Sequence, residues 1–286
     1  MTPLRQKVIE LMVLKGFAET TQKSYLAHIR YLAEYYNQSP DQLSEDDIRA
    51  YLLHCHMVKH WSFSSCRQFI HAARFLFDKV LARPLSKDKM PLPPKGFKIP
   101  DLLTRDEVEL IINCCINEKF RYALWTTYAT GVRVSELVNL QVKDLDGERD
   151  LLWIRGGKGR KDRSVDFTPG LKKCLREYWK KYAPKSWLFY AQSLNKGLSK
   201  STMQRAYTRA KLKAEVHKVG GIHALRHAFA THQLEAGMPL PRLQKLLGHA
   251  HITCTLRYTR WLNFSGDFNA EAYDLLSPLK KYPPSK

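Results

Sequence analysis

Six residues of this 286-residue chain carry side chains suited to handling a phosphodiester: Arg133, Lys158, His223, Arg226, His249 and Tyr258. Four of them fall between His223 and Tyr258, interleaved with apolar residues at helical spacing. Moving a DNA strand without a metal needs an activated hydroxyl, positive charge around a pentavalent phosphorane, and an acid for the leaving oxygen. Tyr258 supplies the hydroxyl. Arg133 and Arg226 supply forked donors for the nonbridging oxygens, and His249 a further donor. His223 is a candidate base for the tyrosine, and Lys158 a candidate acid for the departing 5′ oxygen. No carboxylate cluster suited to Mg²⁺ accompanies these residues in the sequence, so the pattern points away from a two-metal nuclease and toward chemistry with no cofactor. Taken singly, each residue has a plainer reading: a histidine at a helix end is commonly a cap, and a tyrosine among apolar residues is commonly core. The grouping is what shifts the balance.

The charge balance fits a polyanionic partner. Lysines and arginines number 47 against 27 aspartates and glutamates, a formal net charge of +20, which favours nucleic acid. With 44% hydrophobic residues, a sizeable core can form. No run of 18 apolar residues suggests a membrane span, and residues 1–10 lack the apolar stretch of a signal peptide. The six cysteines (55, 66, 114, 115, 174, 254) make no CxxC pair and read as reduced, mostly buried residues of a cytoplasmic protein.

Placing the six residues requires two helical regions and a hairpin. Residues 1–93 read as four helices with no strand pattern. Thr2-Pro3 opens the first; Thr20 or Thr21 starts the second; Ser44 to Asp47 resembles a capping box; Ser62 precedes the fourth. Lys23, Arg30, Arg67 and Arg74 lie between their apolar stripes and are candidate phosphate contacts, though an ordinary solvated helix face is the alternative for any one of them. His54, His56 and His60 lack the carboxylate or cysteine that would complete a metal set, so no metal site is expected. Residues 84–100 are rich in proline and lysine, and the domain boundary is placed there, with a linker at 94–102. Lys95 and the neighbouring lysines of this stretch can lie along a phosphate backbone, letting the two domains clamp a duplex.

In residues 103–286, Thr104 to Glu107 makes a capping box and a mostly apolar helix runs from about Phe120 to Ala129. Gly131 turns the chain so that Arg133 emerges at the start of the next helix, with Glu136 within reach to hold its guanidinium. Two strands, 152–155 and 163–167, flank a glycine-rich tip bearing Lys158, Arg160 and Lys161. The tip does not have P-loop spacing, so nucleotide binding is not indicated. Thr168-Pro169 opens a helix to about Tyr182, and another spans about Ser199 to Ala214. Together they form the densest basic region of the chain. Lys200, Arg205 and Arg209 there are further candidate DNA contacts. The fold class expected is mainly α, with a small antiparallel sheet in the second domain.

These motifs, taken together, resemble the tyrosine recombinase (phage integrase) family across nearly the whole chain. Thr-Gly-Val-Arg133-Val-Ser-Glu-Leu is similar to the family's first arginine box, and Gly-Lys158-Gly-Arg-Lys-Asp-Arg to its hairpin lysine. His223-Ala-Leu-Arg226-His-Ala-Phe-Ala-Thr resembles the HxLRHxFAT box, and Leu-Leu-Gly-His249, with Tyr258 nine residues later, the final box. Thr21-Gln-Lys-Ser-Tyr25 resembles the start of the helical core-binding domain. The resemblance implies attack by Tyr258 on the scissile phosphate, a 3′-phosphotyrosyl link and a freed 5′ hydroxyl. It also implies a homotetramer on double-stranded DNA with inverted-repeat core sites, passing through a Holliday junction without ATP or metal. By the same analogy Phe268 to Leu276 is expected to dock on a neighbouring subunit. Thr-Arg-Trp261 after the tyrosine departs from the Thr-His-Val common in Xer-type enzymes. With no arm-binding domain ahead of residue 1, the pattern suits a simple two-domain Xer-, integron- or transposon-type member, although the long insertion typical of integron integrases is absent. A type IB topoisomerase-like enzyme and a DNA-binding accessory protein without catalysis are the alternatives.

Overall fold

The computed structural model describes residues 2–86, 88, 90–91, 101–156, 162–194, 196–259 and 275. Lys95, Lys158, Arg160 and Lys161 therefore lie outside the described residues. The chain divides into two compact units, Met1–Lys98 and Ile99–Lys286.

In the first unit, helix α1 (Pro3–Leu14) starts behind Thr2, whose hydroxyl accepts from the Arg5 amide. Helix α2 (Glu19–Tyr36) begins one residue earlier than the threonines suggest. Ala18 enters it without a side-chain cap, and Asn37 ends it in the left-handed region at φ 48°. The Ser44–Asp47 capping box opens α3 (Glu45–Met57), with both reciprocal bonds formed. Ser62 caps α4 (Phe63–Arg74), which continues as a π-helical turn through Val80. Val8, Met12, Leu32, Ile48, Tyr51, Phe69, Ile70 and Leu76 form the core among these helices. His60 falls outside α3, in a left-handed conformation at φ 52°. It therefore shares no helix face with His56, whose Nδ1 instead meets the Trp61 carbonyl at 3.0 Å.

The basic side chains of this unit differ in where they go. Lys23 and Arg30 are exposed on α2 and pair with Glu19 (2.6 Å) and Glu34 (3.4 Å), one turn away. Such exposed pairs hold a side chain weakly, so both remain available to a phosphate. Arg74 turns inward: its terminal nitrogen donates to the Met90 carbonyl at 2.9 Å, which ties the chain beyond α4 back to the bundle. Arg67 is half-buried on α4.

The second unit places a small sheet against a helical body. A Thr104–Glu107 capping box starts α5 (Arg105–Asn113), and α6 (Glu118–Thr130) follows. From Tyr122 onward α6 is buried on every face. Its three threonines are tolerated there because each hydroxyl donates back one turn: Thr126 to the Tyr122 carbonyl, Thr127 to Ala123 and Thr130 to Thr126. Short helix α7 (Val134–Leu137) leads to an antiparallel sheet of β1 (Leu145–Asp146), β2 (Leu151–Ile154) and β3 (Arg163–Asp166), in that order. Strand β1, two residues long, carries too little pattern to be read from sequence. Then come α8 (Pro169–Tyr182), α9 (Lys200–Lys213), α10 (His223–Glu235), α11 (Leu240–Leu247) and α12 (Thr253–Thr259). The architecture is mainly helical with a small antiparallel sheet, as the pattern predicts. Lys200, Arg205 and Arg209 are exposed on α9.

Helix α10 is central, packing on α5, α6, α11 and α12. Residues 268–276 lie outside the described residues except for Leu275, which is buried in the second unit's own core. Among the described residues no helix is long and apolar enough to cross a membrane.

Gly131 is a point of close approach between α6 and α10. It ends α6 at φ +62°, and a Cβ there would sit 2.3 Å from the Phe229 ring. Gly131→Ala therefore combines a disfavoured backbone with a collision in a packed core. We expect it to cost roughly 2–5 kcal/mol of stability in urea unfolding. A loss below about 1 kcal/mol would mean that α6 and α10 can separate freely.

Candidate active site

The site is built where the ends of α6, α10 and α11 meet α7 and α12. Gly131 turns the chain out of α6 so that Arg133 stands at the N-cap of α7. Its amide donates to Glu136 Oε2 at 2.8 Å and its guanidinium to Oε1 at 2.9 Å. Glu136 holds a second arginine as well. Arg163, on β3, donates to both of its oxygens at 2.9 and 2.8 Å, and through Nε to the Leu246 carbonyl at 2.7 Å. Burial pushes the Glu136 carboxyl up, but its bonds to Arg163 and the charges of Arg163 and Arg133 win, holding it down to about 2. The carboxylate stays ionised and locks both arginines. Gly248 leaves room for this arrangement: at φ +62° it ends α11, and a Cβ would lie 2.9 Å from the Arg163 side chain.

Arg163 was not among the candidates read from sequence, although a signal was present. Val165 is buried and pairs with Leu152, while Arg163 pairs with Ile154. Side chains two apart on a strand share a face. Arg163 therefore sits on the buried face, where a charge needs a partner.

Arg226 is nearly sealed from solvent, at 1% exposed. It donates to the Gly131 carbonyl and the Leu247 carbonyl at 2.6 Å each, fastening α10 to the ends of α6 and α11. It also lies 3.0 Å from His249 Nε2. A guanidinium only donates, so Nε2 must accept, and the His249 proton sits on Nδ1. From there it is donated to the Thr255 hydroxyl at 2.9 Å. Burial, then Arg226 and Arg133, push the His249 ring down to about 4, which agrees with a neutral tautomer.

Tyr258 closes the set from α12. It is 2% exposed, and its ring lies parallel to that of His249 with centroids 6.4 Å apart. Burial raises the phenol, while Arg226, Arg257 and Arg133 draw it down. The ring that meets its hydroxyl is His227, whose Nδ1 is 3.0 Å away. The sequence reading assigned that position to His223. His223 is instead exposed at the start of α10, its ring edge-on to His227 at 4.7 Å. Although the residue is exposed overall, burial of the protein-facing side of its ring, then Arg226 and Arg133, lower His223. The structure thus brings together Arg133, His223, Arg226, His249 and Tyr258, and adds Glu136, Arg163, His227 and Thr255. Among the described residues no group of histidines, cysteines and carboxylates could hold a metal.

The family model described as Phage integrase family matches residues 101–263, more than half of the chain, and the N-terminal SAM-like domain model of phage integrases matches residues 4–87. The chain belongs to the phage integrase family. A protein of Sinorhizobium fredii is 36% identical to this integrase-family chain over all of it and 94% of the relative. Tyrosine recombinase XerA of Pyrococcus furiosus is 31% identical, covering 90% of the chain and 92% of the relative. Tyrosine recombinase XerD of Oceanobacillus iheyensis is 30% identical, covering 87% and 90%. The crystal structure of a XerA recombinase aligns over 94% of each chain with a TM-score of 0.51 and 28% identity. A lambda integrase dimer bound to a core site aligns over 90% of this chain and 95% of that one with a TM-score of 0.74. At 18% identity it shows the shared fold alone. This integrase-family protein is accordingly a tyrosine recombinase, an enzyme of site-specific DNA recombination.

The recombinase's buried and half-buried histidines make its stability depend on pH. His227, His232 and His249 are each pushed from an ordinary 6.5 to about 4, first by burial and then by nearby cations. For His232 these oppose the bond it donates from Nε2 to the Leu103 carbonyl at 2.9 Å. A ring with a depressed folded value takes up its proton in the unfolded chain first. Stability is thus full above pH 6.5 and is lost as pH falls toward 4, with a slope approaching ~1.4 kcal/mol per pH unit for a fully buried ring. We expect the melting temperature to drop by roughly 5 °C or more between pH 7.5 and 5. A flat profile across that range would show that these rings are hydrated in the folded protein.

Proposed function

We propose that this protein recombines double-stranded DNA by way of a 3′-phosphotyrosyl intermediate, with Tyr258 as nucleophile. Arg133 and Arg226 stabilise the nonbridging oxygens of the scissile phosphate, and His249 adds a donor once the incoming phosphate draws Arg226 away and the ring takes up a proton or changes tautomer. Lys158, which lies outside the described residues, protonates the departing 5′ oxygen. The link conserves the phosphodiester bond energy, so the partner strand's 5′ hydroxyl can reverse the step without ATP. The observation that carries this reading is the packing of Tyr258 in parallel with His249, which is itself bonded to Arg226. A buried hydroxyl with two arginines nearby suits in-line attack on a phosphate better than any structural need.

The reaction runs in a homotetramer on two duplexes with inverted-repeat core sites, through a Holliday junction, in the cytoplasm. A lambda integrase tetramer bound to a Holliday junction, which shares the fold with a TM-score of 0.74, supports this assembly. Lys23, Arg30, Arg67, Lys95, Arg160, Lys161, Lys200, Arg205 and Arg209 are the proposed backbone contacts. Arg74 is the weakest of the sequence candidates, since its guanidinium already serves the Met90 carbonyl.

The test is a nicked suicide duplex, recovered from a randomised library by retention on the wild-type chain. A covalent adduct followed by strand exchange between two such duplexes is the expected result. An adduct with relaxation of supercoils but no exchange would indicate a topoisomerase-like enzyme. Binding without any adduct would indicate an accessory protein.

A further inference from the structure

We propose that His227, rather than His223, is the catalytic residue that orients the Tyr258 hydroxyl and receives its proton. The inference rests on the recombinase reading above and deepens it. His223 and His227 are one turn apart on α10, so both project toward α12, but only the second reaches the nucleophile. Its Nδ1 lies 3.0 Å from the Tyr258 oxygen, with the two rings 5.6 Å apart. His223 is held a turn away, edge-on to His227.

The geometry fixes the direction of the bond once the ring is neutral. Tyr258 is buried and its phenol is pushed up, so the oxygen keeps its hydrogen in the resting protein and that hydrogen needs an acceptor. A neutral imidazole with its proton on Nε2 offers Nδ1 as one. Burial, with His223 and Arg226 on the same helix and Arg257 on α12, keeps the ring neutral. The two arginines also weaken it as a base. A phosphodiester entering beside Arg133 and Arg226 brings compensating negative charge, which restores base strength at the moment of reaction.

The step balances within the site. The Tyr258 proton passes to His227 Nδ1 as the oxygen–phosphorus bond forms. The bond from phosphorus to the 5′ oxygen breaks, and that oxygen leaves with the electron pair and takes the proton assigned to Lys158. Ligation runs the same transfers backward.

Two measurements decide the matter. In ¹⁵N-histidine-labelled protein without DNA, the His227 Nδ1 resonance should be of the unprotonated, pyridine-like type; a protonated Nδ1 would overturn the proposal. The second is single-turnover cleavage of the library-derived suicide duplex by His227→Leu, His227→Asn and His227→Gln, each checked for its melting temperature and duplex affinity. Asparagine can set an oxygen near the Nδ1 position, whereas glutamine sets its polar end near Nε2. Loss of general-base assistance is worth about 10²-fold or more. We expect all three variants to be slowed by about that much, His227→Asn the least, because its oxygen can still orient the hydroxyl although it cannot take the proton. Wild-type-like or faster cleavage by His227→Leu would overturn the proposal, the faster result marking the bond as a restraint on the tyrosine. Glutamine matching or exceeding asparagine would overturn it too, and this comparison stands even if the leucine variant does not fold. Absence of an adduct from the wild-type protein would instead sink the recombinase reading itself.

Discussion

Tyr258→Phe is expected to abolish covalent attachment to DNA, lowering single-turnover cleavage by at least about 10⁴-fold, while duplex affinity stays close to wild type. The separation of the two effects follows from where the hydroxyl sits. The Tyr258 ring is 2% exposed and fills space beside His249, and phenylalanine keeps that volume. What is lost is one oxygen and its bond to His227 Nδ1. That leaves a buried ring nitrogen without its partner, which should cost about 1–2 kcal/mol of stability. Gel retention, denaturing electrophoresis of the adduct and urea unfolding measure the three quantities. Residual adduct from Tyr258→Phe would mean that another side chain is the nucleophile, and the proposed mechanism would fall. A parallel collapse of binding and stability would mean that Tyr258 is chiefly a core residue.

Glu136→Ala should be the most destabilising change in the site. The carboxylate is 6% exposed and serves Arg133 and Arg163 together. The Arg163 side chain is only 8% exposed, so it cannot turn to water when its partner disappears. Breaking a buried ion pair from one side typically costs about 3–5 kcal/mol, because the surviving charge remains desolvated. Arg163→Met should cost less, since Glu136 keeps Arg133 and the unbranched methionine side chain fills much of the arginine's volume without leaving a buried charge. Combining the two substitutions should recover part of the loss. A double-mutant cycle would then show a coupling of about 1–3 kcal/mol. Cleavage should fall in Glu136→Ala beyond what stability explains, because Arg133 loses the group that aims it at the phosphate. Additive losses, or a cost below 1 kcal/mol for Glu136→Ala, would show that the two arginines are hydrated and independently held.

Much of this site was legible from residue types and short spacings. Arg133 follows a glycine at a helix end, and Glu136 lies one helical turn beyond it. His249 stands directly after the glycine that ends α11. Those features depend on φ preferences and on contacts three or four residues apart, which sequence encodes directly. The choice between His223 and His227 did not follow in that way. Both lie on α10, one turn apart, and which one meets Tyr258 depends on how α12 packs across α10, 31 residues away. Arg163 was missed for a similar reason. Its partners, Glu136 and Leu246, are 27 and 83 residues distant. Arg74 reads as one more cation on a basic helix, yet tertiary packing directs it to a carbonyl 16 residues further on.

The sequence alone therefore determined the helical class, the hairpin, the basic character and five of the residues that the structure gathers around one site. These rest on local periodicity, capping and charge, each a property of neighbours along the chain. Tertiary structure decided which histidine touches the nucleophile, which way the His249 proton points, and that one carboxylate secures two arginines. Those outcomes are set by burial, which makes every polar group find a partner, and the partner lies wherever the fold brings the chain back.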